Sequence, residues 1–232
     1  MSELEFLFQD VLTEIDALNK VAQRFIARES REVLPELRGR LKLIQDNPST
    51  RIRPWGIDPS RPLRTVVSHH RDAFNLYAEM SSIWQIRSVQ EKGGRFARDR
   101  FVLAGLTSTR VHLRARADNR EVVSWRMEVG DSHSPGCHFH SQLGNLSAPR
   151  LPAIHTTPLA VLELVLGEIF QDAWDREVAG NGPELQRWAP IHRRWLRQLL
   201  DWQLAQVQRP GGAPWIALKR TKPPHDLFVE AR

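Results

Sequence analysis

Cysteine is almost absent from this chain: Cys137 is the single cysteine among 232 residues. One cysteine excludes an internal disulfide framework and is typical of a reducing compartment, so we expect a cytoplasmic protein. Long apolar runs are missing too, since none approaches the roughly 20 residues of a membrane-spanning helix. The acidic, amphipathic start also lacks the basic segment and cleavage pattern of a signal peptide. We therefore expect no membrane partner.

Lysine is scarce as well, because it supplies only 5 of the 33 basic residues and arginine supplies the other 28. Arginine binds phosphate through paired hydrogen bonds and stacks on bases, which favours nucleic acid, and RNA in particular, as a partner. A GC-rich coding sequence would raise arginine equally without such a function. The segment from Arg87 to Arg116 holds eight basic and two acidic residues, an excess equal to the whole net charge of +6. Electrostatic attraction should centre there.

The first 46 residues carry the pattern of two paired helices. Ser2 and Glu5 are spaced as a capping box, and apolar residues then recur at four-three spacing as far as Phe25. A second apolar stripe predicts a helix from Glu32 to Gln45. The two stripes predict an antiparallel helical hairpin. The same spacing is also typical of a surface for self-association or for a protein partner.

A proline-rich loop at residues 47–62 separates this hairpin from a segment that is predicted as helix and then as sheet. Helical spacing of apolar residues predicts a helix from about His70 to Val89. From Arg100 the period changes to two, and the stretches 110–116, 122–130 and 137–143 alternate apolar with polar residues. They predict three antiparallel strands with one apolar and one polar face.

The C-terminal part returns to helix. Thr157 followed by Pro158 is typical of a helix start and predicts a helix to about Glu177. A tryptophan stripe predicts a last helix to about Gln208, with its regular part beginning at Pro190, and we attribute the stripe to core packing. The tail contains WIALK, the pattern of an edge strand.

These patterns together predict an α+β protein. Its parts are an N-terminal helical hairpin, a small antiparallel β-sheet over about residues 100–143, and two long C-terminal helices packed on that sheet. The expected units are the hairpin at 1–46, an α+β core domain at 63–208 and a mostly irregular C-terminal tail at 209–232.

The polar face of the predicted sheet concentrates the chemistry. Two histidines bracket Phe139, a spacing that puts both imidazoles on one side of a strand. Turn lengths predict Glu128 opposite His138 and Arg126 opposite His140, with Arg126 also beside His112 and Glu128 also beside Arg110. The face then carries Arg110, His112, Arg114, Ser124, Arg126, Glu128, His138, His140 and Gln142.

Three interpretations of this face stay open. In the first, His138 and His140 bind a metal with Glu128 or Asp131, but the nearby arginines would repel a divalent ion. In the second, the two histidines act as acid and base on a phosphodiester. In the third, the face is merely solvated, with cross-strand pairs of small energy.

The strand with HFH, the segment PRLP and the helix start TTPLAVLELVLGEIF follow one another over roughly residues 122–175. In this order of motifs, the stretch resembles uncharacterised bacterial protein families. The resemblance implies a bacterial protein from a toxin–antitoxin or phage-defence setting, brings no established activity, and marks His138, His140 and Arg150.

The sequence thus favours a phosphodiesterase or ribonuclease that uses a histidine pair and needs neither cofactor nor metal. His138 and His140 would be acid and base, and Glu128 would orient one ring. Phosphate would be held by Arg126, Arg150, Arg110, Arg114 and His112. The alternative is a non-catalytic module that binds protein or nucleic acid.

Overall fold

The computed structural model describes residues 4–69, 75–104, 107–130, 137–144, 150–154, 157–180 and 182–229. Within them, ten strands form one antiparallel sheet. The strands are β1 (Glu5–Leu7), β2 (Arg53–Trp55), β3 (Leu63–Arg64), β4 (Ser68–His69), β5 (Asn75–Gln90), β6 (Phe96–Leu103), β7 (Thr107–Ala115), β8 (Glu121–Val129), β9 (Phe139–Leu143) and β10 (Leu151–Pro152).

The sheet is much larger than the sequence predicts. Its main path runs β1-β6-β5-β7-β8-β9-β10, and β2, β3 and β4 also pair with β5. The three predicted strands are present as β7, β8 and β9. The prediction of a small sheet over residues 100–143 is wrong, because pairing begins at Glu5 and extends to Pro152.

A helix is predicted from about His70 to Val89, but residues 75–90 form strand β5, so that prediction is wrong there. Residues 70–74 lie outside the described residues. Alternate residues from Ala78 to Ser88 are buried, which is the period of a strand. Ser82 and Ser88 are two of these buried positions. Because both are polar, the sequence does not show the alternation of apolar and polar residues that is typical of a strand. Met80 and Trp84, four residues apart, fit one face of a helix as well as one face of a strand.

Six α-helices accompany the sheet in the described residues. They are α1 (Phe8–Val21), α2 (Val33–Asp46), α3 (Pro158–Phe170), α4 (Asp172–Val178), α5 (Pro183–Val207) and α6 (Pro214–Arg220), with a 3-10 turn at Arg28–Ser30. None of these helices is long and apolar enough to cross a membrane.

Several helix ends differ from the prediction. Residues 5–7 form a strand against β6, so α1 begins at Phe8, and Ser2 lies outside the described residues. Gln171 has a φ of +43°, which separates α3 from α4 where one helix is predicted. Helix α5 begins at Pro183 and passes through Pro190. WIALK lies in helix α6 instead of an edge strand.

Aromatic residues from distant segments form the centre of the core. The ring of Phe6 lies 5.0–6.2 Å from those of Trp84, Phe101, Trp195 and Phe228. Helix α1 packs against α2 and α5, and α3 packs against β5. The tryptophan stripe of α5 is buried, so its assignment to the core is confirmed. Helices thereby cover the apolar face of the sheet around β5 and β6, while Val123 and Leu143 on the outer strands are exposed. The polar residues lie on the opposite face.

Candidate functional site

The polar residues of β8 and β9 share one face, but their register is shifted by two residues from the predicted one. Glu128 lies opposite His140 instead of His138, and Arg126 lies opposite Gln142. The loop between the strands is longer than predicted, since Val129 pairs with Phe139. A hydrogen bond from Gly130 N to the carbonyl oxygen of His138 closes the base of this loop. A shift of two leaves every side chain on its predicted face.

The register between β7 and β8 is also shifted by two. Arg110 lies opposite Arg126 instead of Glu128, and His112 lies opposite Ser124. Next to the turn Arg114 pairs with Glu121, three residues off the predicted register, and a one-residue bulge between Leu113 and Arg114 reduces the shift to two along the rest of the strands. As a result, Arg110 and Arg126 face each other on neighbouring strands, a pairing of like charges.

Glu128 and His140 form a buried pair on this face. His140 Nε2 lies 3.1 Å from Glu128 Oε2, and His140 Nδ1 lies 2.7 Å from the carbonyl oxygen of Cys137. A carbonyl only accepts, so Nδ1 carries a proton. Burial acts to raise the pKa of Glu128, but the hydrogen bond from His140 and the charge of Arg126 outweigh it and lower that pKa. Glu128 is therefore ionised, and its carboxylate lies against the buried ring of His140.

Gln142 and Arg126 complete this network, which we call the sheet cluster (Arg126, Glu128, His140 and Gln142). Arg126 donates from Nε to Gln142 Oε1 at 3.0 Å and lies 3.3 Å from Glu128 Oε1. Gln142 Nε2 donates to Glu128 Oε2 at 3.4 Å. Both ring nitrogens of His140 have oxygen partners within the protein.

His138 lies just before strand β9. Strand β9 begins at Phe139, and the His138 ring stands edge-on to that of Phe139, with 5.3 Å between centroids. His138 is 5% exposed and His140 is 1% exposed. The predicted acid and base are thus both buried, and their catalytic roles stay a prediction.

A groove lies beside the sheet cluster on the polar face, between β5, β7 and the loop before β3. Its volume is roughly 240 Å³. We call it the arginine groove, and it is lined by Pro59, Pro62, Glu79, Ser81, Ser82, Ile83, Ser108, Arg110, His112 and Arg114. Three of the predicted phosphate-binding residues, Arg110, His112 and Arg114, therefore line one groove.

Arg114 and His112 are held by carboxylates. Arg114 Nε donates to Glu79 Oε2 at 2.6 Å, while Arg64 donates to the other oxygen of Glu79. Burial acts to raise the pKa of Glu79, but the two arginines lower it overall. His112 Nδ1 lies 2.7 Å from Glu121 Oε2. The hydrogen bond from Ser124 and then that from His112 lower the pKa of Glu121.

Arg110 differs from these residues because it is exposed and forms no ion pair with any acidic residue that the structure describes. It faces Arg126 across the strands. Arg150, by contrast, precedes β10 beyond β9, outside the arginine groove, and its Nε is buried without a hydrogen bond to a described residue.

A second polar cluster lies among the helices and contains none of the predicted site residues. His192 Nε2 lies 2.5 Å from Glu14 Oε1, and His192 Nδ1 lies 2.9 Å from Glu163 Oε2. Thr157 donates to Glu14 Oε1 at 2.7 Å. We call these four residues the His192 cluster. Burial acts to lower the pKa of His192, but Glu14 and Glu163 outweigh it and raise that pKa to about 9.

The sequence does contain a signal for this cluster. Glu14 lies within the buried stripe of α1, three residues after Val11 and four before Leu18, and it is fully buried. His192 lies between the buried Trp188 and Trp195 at helical spacing. A charged residue within an apolar stripe must find a buried partner, but the spacing does not reveal which one.

A cavity of roughly 870 Å³ adjoins the His192 cluster, between helices α3, α4 and α5. His192 and Glu163 form part of its wall, and most of the other lining side chains are apolar. In the described part of the chain, no three His, Cys, Asp or Glu side chains are placed to hold a metal ion. Asp131, a ligand in the metal interpretation, lies outside the described residues.

Comparison with known proteins gives no relative: no family model matches the chain, and no curated protein or solved structure is significantly similar to it.

Proposed function

We propose that this chain binds nucleic acid, RNA in the first instance, and contacts phosphate at the arginine groove without cleaving the strand. The observation that carries the proposal is the cross-strand pair of Arg110 and Arg126. Arg110 is exposed and its positive charge is not neutralised by any described acidic side chain. Arg126, opposite, is already held by Glu128 and Gln142, so Arg110 is the guanidinium group of this pair that is left to bind an anion in the groove.

The surroundings of Arg110 suit a phosphate group. Ser81 lies opposite Arg110 on β5, and Ser108 precedes it by two residues on β7, so both hydroxyl groups border the same groove. Glu121 orients the His112 ring through Nδ1, which leaves the rest of that ring towards the groove. The groove is smaller than the 300–1,000 Å³ of pockets that enclose drug-sized ligands. It fits a phosphate and its sugar, with the rest of the strand lying along the sheet.

Binding is supported better than cleavage. A ribonuclease that used His138 and His140 would need both rings at the surface and one ring nitrogen free. Both rings are buried, and both nitrogens of His140 already have oxygen partners. The positive net charge of +6 favours association with any RNA, whatever its sequence.

The test compares two variants that lose the same charge. Fluorescence anisotropy with a labelled single-stranded RNA is measured for the wild type, for Arg110→Gln and for Arg176→Gln, at several salt concentrations. Arg176 is exposed on α4, among the helices and outside the arginine groove. We expect Arg110→Gln to weaken binding roughly tenfold and to reduce the salt dependence by about one ion contact. Arg176→Gln should change the affinity by less than about twofold.

Two results would overturn the proposal. Equal losses in both variants would mean that RNA responds to overall charge and not to the groove. Shortening of the RNA on a denaturing gel, abolished in a folded His140→Gln variant, would restore the ribonuclease hypothesis.

A further inference from the structure

We infer that the cavity between α3, α4 and α5 is a second, independent binding site, and that it takes a small organic cation with an apolar body and an ammonium group. This inference does not depend on the RNA proposal, since the cavity lies among the helices and the arginine groove lies on the polar face of the sheet. We call this space the helical cavity.

Small residues create the space. Gly167 and Ala160 on α3 and Ala189 on α5 stand where larger side chains would fill it. A Cβ at Gly167 would already touch the Trp174 ring at 3.6 Å. Trp174 and Trp188 provide aromatic walls, and leucine and valine side chains provide much of the rest. A volume of roughly 870 Å³ with such walls lies within the range of sites that enclose small organic ligands.

The charge of the cavity selects the ligand. The wall and rim carry Glu163, Glu168 and Asp175, against the positive charges of His192 and Arg193. The charge of His192 is already shared between Glu163 and the buried Glu14. Glu168 and Asp175 form no ion pair with any residue of the described ranges. The helical cavity is therefore acidic in a chain whose net charge is positive.

Glu163 is the anchor for the ammonium group. Its Oε2 accepts from His192 Nδ1, and its side chain is 36% exposed while it lines the cavity. The remaining oxygen, Oε1, is available to accept a hydrogen bond from a ligand N–H. The tryptophan rings nearby add favourable cation–π contact, which a neutral or anionic head group would not make. An ammonium head would bind the Glu163 carboxylate, and an apolar body would pack against the tryptophan, leucine and valine side chains of the cavity.

The experiment uses three probes with the same ten-carbon chain, namely decylammonium, decanol and decanoate. Each is titrated calorimetrically into the full chain at pH 7, below the concentration at which the probe aggregates. We expect decylammonium to bind at least tenfold more tightly than decanol, and decanoate to bind most weakly. Equal affinities for decylammonium and decanoate, or no binding of decylammonium, would overturn the inference.

Variants then locate the binding. Glu163→Gln should bring the affinity for decylammonium close to that for decanol, while leaving decanol unchanged. Asp172→Asn removes an exposed carboxylate of α4 that does not line the cavity, and it should change neither affinity. Ala189→Phe should fill the cavity and abolish binding of both probes. If Ala189→Phe does not fold, the probe series on the wild type and the comparison with Glu163→Gln still test whether the cavity binds an organic cation. An unchanged preference for decylammonium in folded Glu163→Gln would contradict the assignment.

Discussion

His192 on α5 and Glu14 on α1 are joined by a contact of 2.5 Å between Nε2 and Oε1, across 178 residues of sequence. Glu14 is fully buried, and its second carboxylate oxygen has no hydrogen bond within the described chain. A buried carboxylate is stable only if a positive charge lies close to it. The protonated ring of His192 therefore holds the two helices together electrostatically as well as by packing.

The first prediction follows from the protonation of His192. Its pKa is about 9 in the folded chain, against an ordinary 6.5. A raised folded pKa adds stability that is fully present below pH 6.5 and is lost as the pH rises through about 9. The contribution amounts to about 3 kcal/mol at most. Urea denaturation at a series of pH values should show the free energy of unfolding falling across this window.

The matched variant is His192→Gln, which keeps a polar side chain without the titration. The difference in unfolding free energy between wild type and His192→Gln should be largest at pH 6 and should shrink towards pH 10. A difference that does not vary with pH would show that the ring is not charged in the folded protein.

The second prediction concerns Thr157, which performs two tasks with one hydroxyl group. Its oxygen accepts a hydrogen bond from Ala160 N at 3.1 Å and so caps α3, and its proton is donated to Glu14. Thr157→Val keeps the shape and loses both hydrogen bonds, so we expect a loss of roughly 2–4 kcal/mol in unfolding free energy. Thr157→Ser keeps both and should lose less than about 1 kcal/mol. Equal losses in the two variants, measured by urea denaturation, would show that the methyl group matters more than the hydroxyl group.

Much of the polar sheet face could be predicted, because side chains two residues apart on a strand share a face and a register error of two residues does not change that face. The registers of β8 with its two neighbours are both shifted by two residues, yet Arg126 and Glu128 remain on the predicted face. The partners themselves could not be predicted, because a bulge at Leu113 and a wider loop before Phe139 depend on backbone hydrogen bonds that the sequence pattern does not specify.

Other parts depended on contacts between distant segments. Met80 and Trp84 are four residues apart, a spacing that fits one face of a helix and one face of a strand. Only the pairing with β7 shows that this segment is a strand. Glu14 and His192 are each recognisable as polar residues in apolar stripes. Their pairing needs α1 and α5 to lie side by side, which no local pattern encodes. The WIALK segment likewise lies in a helix that packs against α5.

The third prediction tests whether Glu128 stabilises the sheet as a charged group. Its folded pKa is lowered, so the stability it contributes is present above pH 4.5 and is lost as the pH falls through the folded pKa. Glu128→Gln keeps the shape of the side chain and removes the charge. We expect a loss of roughly 1–3 kcal/mol at pH 7, because His140 and Arg126 then lack their anion. The difference from wild type should narrow below pH 4.5, and a gap that widens there would contradict the ion pair.

The fourth prediction uses one substitution at two glycines with opposite expected results. Gly56 follows β2 with a φ of +154°, and a Cβ there would collide with the backbone carbonyl oxygen of Ser82 on β5. Backbone cannot move aside without breaking the hydrogen bond from Ser82 N to the carbonyl oxygen of Ile57. Gly39 lies inside α2, where a Cβ would meet no atom within 4 Å.

Thermal unfolding should show Gly56→Ala to be destabilised by at least about 2 kcal/mol. Gly39→Ala should be stabilised by up to about 1 kcal/mol, because alanine is the better helix former. A Gly56→Ala variant as stable as wild type would mean that β2 does not pack against β5 as closely as described.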